Sequence, residues 1–159
     1  MRAEGEPLSV IAADESMLWE ILAIENASFT CPWSETSFRE AFASDRITVY
    51  AALSGERVTG FSCLLVVGDE GEILNIAASP TDRRRGIGQA LLSRMLDDCA
   101  SRGTASVYLE VRESNLPARS LYRKNGFAPV GVRRNYYTKP REDAVLMMRT
   151  ISPAAEGQL

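Results

Sequence analysis

Apolar and polar positions recur along this chain at spacings that sort it into strands and helices. Leu8–Ala12 reads as a short strand. Asp14 is placed to cap a helix whose apolar positions Met17, Leu18, Ile21, Leu22 and Ile24 follow a helical period. Cys31-Pro32-Trp33-Ser34 breaks that helix, and Ser34 can cap a second one running through Phe38 and Phe42. Ile47–Leu53 and Val58–Val67 read as a hairpin about the turn Ser54–Arg57, and Gly68–Gly71 turns the chain again into Glu72–Ala78. The strongest helical pattern runs from Gly86 to Ser101. Ile87, Leu91, Leu92, Met95, Leu96 and Cys99 form its apolar stripe, and Gly103 suits its stop. Val107–Val111 is a strand of buried type. Asn115 can cap a helix that begins near Pro117 and ends at Asn125-Gly126. Phe127–Arg134 and Ala144–Thr150 are the last two strands, with Asn135–Asp143 read as their connection. A strand–helix–strand segment inside a hairpin-rich chain predicts an α/β fold with a mixed sheet.

The chain is 159 residues long, which suits a single domain, 1–151, followed by a tail, 152–159, that is small, polar and broken by Pro and Gly. Residues 1–7 read as frayed for the same reasons. No apolar run reaches the length of a membrane span, and the acidic start does not resemble a secretory signal, so a cytoplasmic protein without a membrane partner is expected. The chain contains no histidine. That removes the commonest general base, the Ser-His and Cys-His pairs and most transition-metal sites, so no metal is expected. Cys31, Cys63 and Cys99 lack zinc-ligand spacing, and Cys99 falls on an apolar helix face as core filler. A formal charge of −3 gives no reason to expect a nucleic-acid partner, despite the basic cluster Arg83-Arg84-Arg85.

That cluster opens the chemically richest segment, Arg83-Arg84-Arg85-Gly86-Ile87-Gly88-Gln89-Ala90, between a strand and the long amphipathic helix. Glycines admit unusual dihedrals and close ligand approach. The first N–H groups of a helix lack intrahelical partners and point outward at the positive end of its dipole, where phosphates bind well. The segment lacks the Gly-Lys-Ser/Thr of a Walker loop and the third glycine of a dinucleotide turn. On spacing alone, a basic helix start that binds nothing remains an alternative.

Arg84-Arg85-Gly86-Ile87-Gly88-Gln89 after a strand resembles the acyl-CoA pyrophosphate turn of the GNAT superfamily of N-acetyltransferases, written Q/R-x-x-G-x-G/A. Pro32-Trp33-Ser34-Glu35, Asn75-Ile76-Ala77, Leu109-Glu110-Val111-Arg112, Asn115, Leu121-Tyr122, Gly126-Phe127, Arg133-Arg134-Asn135-Tyr136-Tyr137 and Arg141-Glu142-Asp143-Ala144 are similar to one branch, the RimI-type ribosomal-protein alanine N-acetyltransferases. The likeness covers residues 8–150. The turn marks only the superfamily, whereas the block from Glu110 to Ala144 is specific to the branch. The resemblance implies a seven-stranded mixed sheet with helices on both faces, splayed between the strands ending at Ala78 and Val111. Acetyl-CoA would enter there as co-substrate. Its pantetheine arm would bond the main chain of Ile76, Ala77 and Ala78, its pyrophosphate would lie over Arg84, Arg85, Gly86, Ile87, Gly88 and Gln89, and Asn115 would contact it. Ala78 stands where valine is common in the family, which matters little to a backbone contact.

Acetyl transfer to an amine has two proton problems: the attacking nitrogen must lose one and the departing thiolate gains one. Glu110 sits near the C-terminal end of an apolar strand, where a carboxylate must face an opening or a partner such as Arg112 or another arginine. Tyr122 follows Asn115 by about two helical turns, and on position alone it is equally a core residue. The resemblance makes Glu110 the general base acting through water and Tyr122 the general acid. Trp33, Tyr136 and Tyr137 would wall the acceptor groove, with ordinary packing as the alternative. An α-amine has a pKa of about 7.8 and a lysine of about 10.4, a difference worth roughly 3.5 kcal/mol of deprotonation. One glutamate–water base is therefore better matched to a protein N-terminus, and an alanine-starting small-subunit ribosomal protein is the acceptor the resemblance implies. Small-molecule amines, protein lysines and a non-catalytic acyl-CoA-binding module are the competing readings.

Overall fold

The computed structural model describes residues 6–151, and the expected frayed start and tail lie outside them, except for Glu6 and Pro7, which are exposed. Its strands are β1 (Leu8–Ala12), β2 (Ile47–Ser54), β3 (Arg57–Val67), β4 (Glu70–Ala78), β5 (Ser106–Arg112), β6 (Ala128–Thr138) and β7 (Arg141–Thr150). Its helices are α1 (Leu18–Ser28), α2 (Glu35–Ala43), α3 (Ile87–Ser101) and α4 (Leu116–Lys124). The seven strands form one mixed sheet in the order β1-β2-β3-β4-β5-β7-β6. Strands β4 and β5 pair in parallel, and the α3 crossover between them is what a parallel pair requires. Their ladder runs from Glu70↔Ser106 to Ile73↔Leu109, while β4 continues to Ala78 and β5 to Arg112. The sheet is not closed there, as the resemblance implied. Contacts group the residues into two compact units, 1–65 with 75–95 and 66–74 with 96–159.

In the first unit, Asp14 accepts from the Ser16 N–H and starts a 3-10 turn, Glu15–Met17, ahead of α1. Helix α1 buries Leu18, Ile21, Ile24 and, unexpectedly, Glu25. Ser34 Oγ accepts from the Ser37 N–H and caps α2, which buries Phe38 and Ala41. Strand β3 is buried continuously over residues 58–64, as befits an interior strand covered on both sides. Gly60 sits in that run, and a Cβ there would stand 2.5 Å from Ile87 Cγ2 and 2.9 Å from the Ala77 carbonyl oxygen. The missing side chain lets the first residue of α3 lie against the sheet beside the end of β4. The apolar stripe expected along α3 is buried throughout, Cys99 included.

In the second unit, Gly103 takes φ +73° after the end of α3, where a left-handed residue costs glycine little. Asn115 Oδ1 accepts from the Ala118 N–H at 3.3 Å and caps α4, which ends at Asn125 and left-handed Gly126. One expectation fails. Residues 135–143 are not a polar connection but the outer parts of β6 and β7, turning at Lys139-Pro140. The ladder slips between Arg133 and Tyr137, where Asn135 takes φ +54° and donates its N–H to Asp143 Oδ1 at 2.8 Å, and pairing resumes at Tyr137↔Glu142 and Thr138↔Arg141. A bulge of this sort lets a polar stretch stay within a hairpin. The turn after β3 is likewise shorter than expected, since β4 begins at Glu70.

Candidate functional site

The turn that the sequence marked as a phosphate cradle is built in the first unit. After β4 the Ser79 N–H bonds the Thr59 carbonyl at 2.8 Å, and a 3-10 turn, Pro80–Asp82, follows. The Asp82 side chain is 2% exposed and receives Arg57 through two bonds of 2.8 and 2.9 Å, with Arg85 at 3.4 Å. Arg57 first, despite the opposing effect of burial, holds the Asp82 carboxyl below the ordinary carboxylate range. This buried anion fixes the stem of the turn. Beyond it Arg83, Arg84, Arg85 and Gly86 are exposed, and Arg84 (φ +64°) and Gly86 (φ +76°) are both left-handed. The second left-handed residue is thus Arg84 and not Gly88, which already belongs to α3. Ile87 is buried under the turn, and the Ala90 N–H donates to the Gly86 carbonyl at 3.0 Å. Ile87, Gly88 and Gln89 occupy the first turn of α3, where N–H groups lack intrahelical partners. Among the described residues beyond its chain neighbours, no heavy atom would lie within 4 Å of a Cβ on Gly86. Open space, helix-start donors and exposed arginines fit a pyrophosphate. Ile76, Ala77 and Ala78 are half-buried at the end of β4, next to this turn in the chain.

Trp33 also lies in the first unit, on the connection between α1 and α2. Its ring packs on Phe38 at 5.3 Å, and Phe38 packs in turn on Phe61 at 5.6 Å. Its N–H donates to Glu25 Oε1 at 3.1 Å.

The second unit brings together Glu110, Tyr122, Tyr136 and Tyr137. Glu110 Oε1 accepts from Arg133 Nε at 2.9 Å, so the partner-arginine reading of the sequence holds, with an arginine from β6 in place of Arg112. A hydrogen bond to Glu110 is the first cause that raises the Tyr136 pKa, followed by burial. Tyr136 is half exposed and its ring meets Tyr137 edge-on at 5.1 Å. Glu72 shares this neighbourhood: burial first, then the Glu110 charge, raises its pKa, and Arg133 opposes the rise. Arg112 lies over the Tyr137 ring at 4.2 Å and donates to the carbonyls of Pro140 (3.0 Å) and Lys139 (3.2 Å). Burial, then the Glu110 charge, pushes the Tyr137 phenol up to about 12. Tyr122 is buried edge-on against Phe127 at 5.9 Å; burial first, then Tyr137, pushes its phenol well above the usual value. It is therefore protonated at neutral pH, as a proton donor must be. Asn115 stays exposed at its cap.

Sequence reasoning missed Arg133 as the partner of Glu110, the Asp82 anchor, and Glu25. Asp82 and Arg57 stand 25 residues apart and give no local signal. Glu25 was readable, because it sits four residues after Ile21 on the buried face of α1.

A family model described as acetyltransferase (GNAT) family matches residues 18–127. A [ribosomal protein bS18]-alanine N-acetyltransferase of Escherichia coli K12 is 39% identical over 131 residues, covering 81% of this chain and 88% of that protein. The protein of the same name from Haemophilus influenzae is 36% identical over 144 residues, covering 88% and 97%. The crystal structure of the ribosomal-protein-S18-alanine N-acetyltransferase from E. coli superposes with a TM-score of 0.87 at 35% identity, over 96% of this chain and 99% of that one.

Proposed function

The chain belongs to the acetyltransferase (GNAT) family, and from that premise we propose that it acetylates the N-terminal α-amine of a protein, using acetyl-CoA as co-substrate. The acceptor is the alanine-starting N-terminus of a small-subunit ribosomal protein. The observation that carries this reading is the likeness to the bS18-alanine N-acetyltransferases over four-fifths of the chain. On this reading residues 1–151 act as one N-acetyltransferase domain. Among the described residues no helix is long and apolar enough to cross a membrane. A cytoplasmic location belongs to this reading because its acceptor is a ribosomal protein.

The residue roles are those the family resemblance implies, and local chemistry supports several of them. Arg84–Gln89 hold the pyrophosphate on helix-start N–H groups and exposed guanidinium groups. Main-chain groups of Ile76, Ala77 and Ala78 hold the pantetheine arm, and Asn115 adds a contact. Glu110 takes a proton from the amine through water, with Arg133 as its countercharge. The neutral fraction of the amine attacks the thioester carbonyl, its nitrogen gives the proton to the Glu110-linked water as the C–N bond forms, and the C–S bond breaks. Tyr122 gives its proton to the departing thiolate. No covalent acetyl-enzyme forms. Trp33, Tyr136 and Tyr137 face the acceptor.

The test mixes enzyme, acetyl-CoA and an alanine-starting peptide, and follows the product by mass spectrometry. Acetylation at the α-amine is expected. Transfer only to internal lysines or small amines would move the assignment, and CoA binding without turnover on any amine would reduce the protein to a binding module.

A further inference from the structure

Helix α1 devotes its buried face to Leu18, Ile21, Ile24 and Glu25, and Glu25 is 2% exposed. A carboxylate is a costly occupant of a core position unless its oxygens are used. Both are. Oε1 accepts from the Trp33 N–H at 3.1 Å, and Oε2 faces Asn75 Nδ2 at 3.5 Å. Trp33 is the first residue after Pro32, which has no N–H to give, and it directly precedes Ser34, the cap of α2. Asn75 directly precedes Ile76, Ala77 and Ala78 on β4. One side chain therefore joins the connection that carries Trp33 to the strand that carries the pantetheine-holding main chain.

We propose that Glu25 is a positioning residue, a bracket that fixes the Trp33 connection to β4 and so sets the acceptor wall in register with the thioester-holding strand. This rests on the acceptor role given above to Trp33 and on the cofactor role given to residues 76–78. Two further observations agree. Burial raises the Glu25 pKa while the Trp33 and Asn75 bonds oppose the rise, and the buried Cys63 thiol is pushed up by its own burial and then by the Glu25 charge. Glu25 is thus an enclosed group whose polar partners are few and specific. Asn75 Oδ1, moreover, is buried with no hydrogen-bond partner among the described residues. A glutamine at position 25 would keep an acceptor for the Trp33 N–H and could donate its amide to that oxygen after the Asn75 amide turns over.

These features make the bracket separable from simple stability. Leucine at position 25 keeps the buried face of α1 apolar and leaves the Trp33 N–H and the Asn75 amide without this partner, a loss that is a modest part of a domain's stability. Glu25→Leu should therefore fold and lose the bracket, whereas Glu25→Gln should keep both. Initial rates are measured with acetyl-CoA and an alanine-starting peptide. In Glu25→Leu the peptide KM is expected to rise about tenfold or more, the scale on which a displaced positioning contact acts, with acetyl-CoA KM within about threefold. In Glu25→Gln both stay within about threefold of wild type. The proposal is overturned if Glu25→Leu leaves the peptide KM unchanged, if both KM values rise together, or if Glu25→Gln fails as the leucine variant does. Acrylamide quenching of Trp33 in a Trp19→Phe background reads the connection without turnover, since the chain has two tryptophans and Trp19 is 62% exposed. Quenching should increase in Glu25→Leu and not in Glu25→Gln; equal quenching in all three overturns the bracket. If the wild type acetylates no amine, the functional reading fails while quenching still tests the bracket. If Glu25→Leu does not fold, the Gln variant decides alone, and a tenfold rise in its peptide KM overturns the proposal.

Discussion

Gly60 is the position where one added methyl should most directly disturb the turn proposed to hold the cofactor. That methyl would stand 2.5 Å from Ile87 Cγ2 and 2.9 Å from the Ala77 carbonyl oxygen. Carbon atoms in contact sit about 3.5–4.0 Å apart, so Gly60→Ala forces Ile87 back by roughly 1 Å. Ile87 is 2% exposed and β-branched, with little rotamer freedom, so the first turn of α3 must move with it. Overpacking of this kind costs about 1–3 kcal/mol, whereas the stiffer unfolded chain of the variant returns about 0.4–1 kcal/mol. The clash wins, and a net loss of roughly 1–2 kcal/mol is expected. For a urea slope of about 2 kcal/mol/M, the unfolding midpoint should fall by roughly 0.5–1 M. Displacing the helix start also moves Arg84–Gln89, and acetyl-CoA KM should rise about tenfold or more. Urea titration followed by circular dichroism and initial-rate kinetics check the two effects. A wild-type midpoint together with a wild-type acetyl-CoA KM would refute the idea that Gly60 sets the height of the turn.

Glu110→Gln should lower kcat about 10²–10⁴-fold, the usual worth of a positioned base, while calorimetry still shows CoA binding; unchanged turnover removes Glu110 from its role. Tyr122→Phe keeps the ring packed on Phe127 and loses only the hydroxyl proposed as proton donor, so folding should be nearly unaffected and kcat should fall about 10²-fold or more. A wild-type kcat in that variant would assign the proton to another group. Asp82→Asn should raise acetyl-CoA KM by loosening Arg57 and Arg85. Because the folded-state pKa of Asp82 is depressed, its contribution to stability is present above the unfolded carboxylate pKa and lost as pH falls through the folded value. The stability gap between wild type and Asp82→Asn should therefore be widest near neutrality and close in acid; a gap that widens toward pH 3 contradicts this.

Elements whose signal is local were legible in the sequence. The α3 stripe, the Asp14, Ser34 and Asn115 caps, and the left-handed glycines after α3 and α4 all depend on neighbours a few residues apart. The outer β6–β7 hairpin was not legible, because its strands are polar and their pairing is secured by Asp143 and Arg112 rather than by apolar alternation. In the candidate site, residue types were legible but commitments between them were not. Glu110 was expected to need a partner, yet only the cross-strand register, which pairs Gly131 with Leu146 and Arg133 with Ala144, shows why the partner is Arg133. Asp82 reads in sequence as an ordinary turn residue, and its burial comes from Arg57 on another strand.

The grip of Arg112 on the far hairpin reaches the Lys139 and Pro140 carbonyl oxygens. Those atoms are supplied by any amino acid, so this anchorage is indifferent to what the tip displays. Side chains at the bend are thus at liberty to drift while the neighbouring aromatic pair keeps its seat. If that pair walls the acceptor as proposed, evolution could retune the bend without disturbing Glu110.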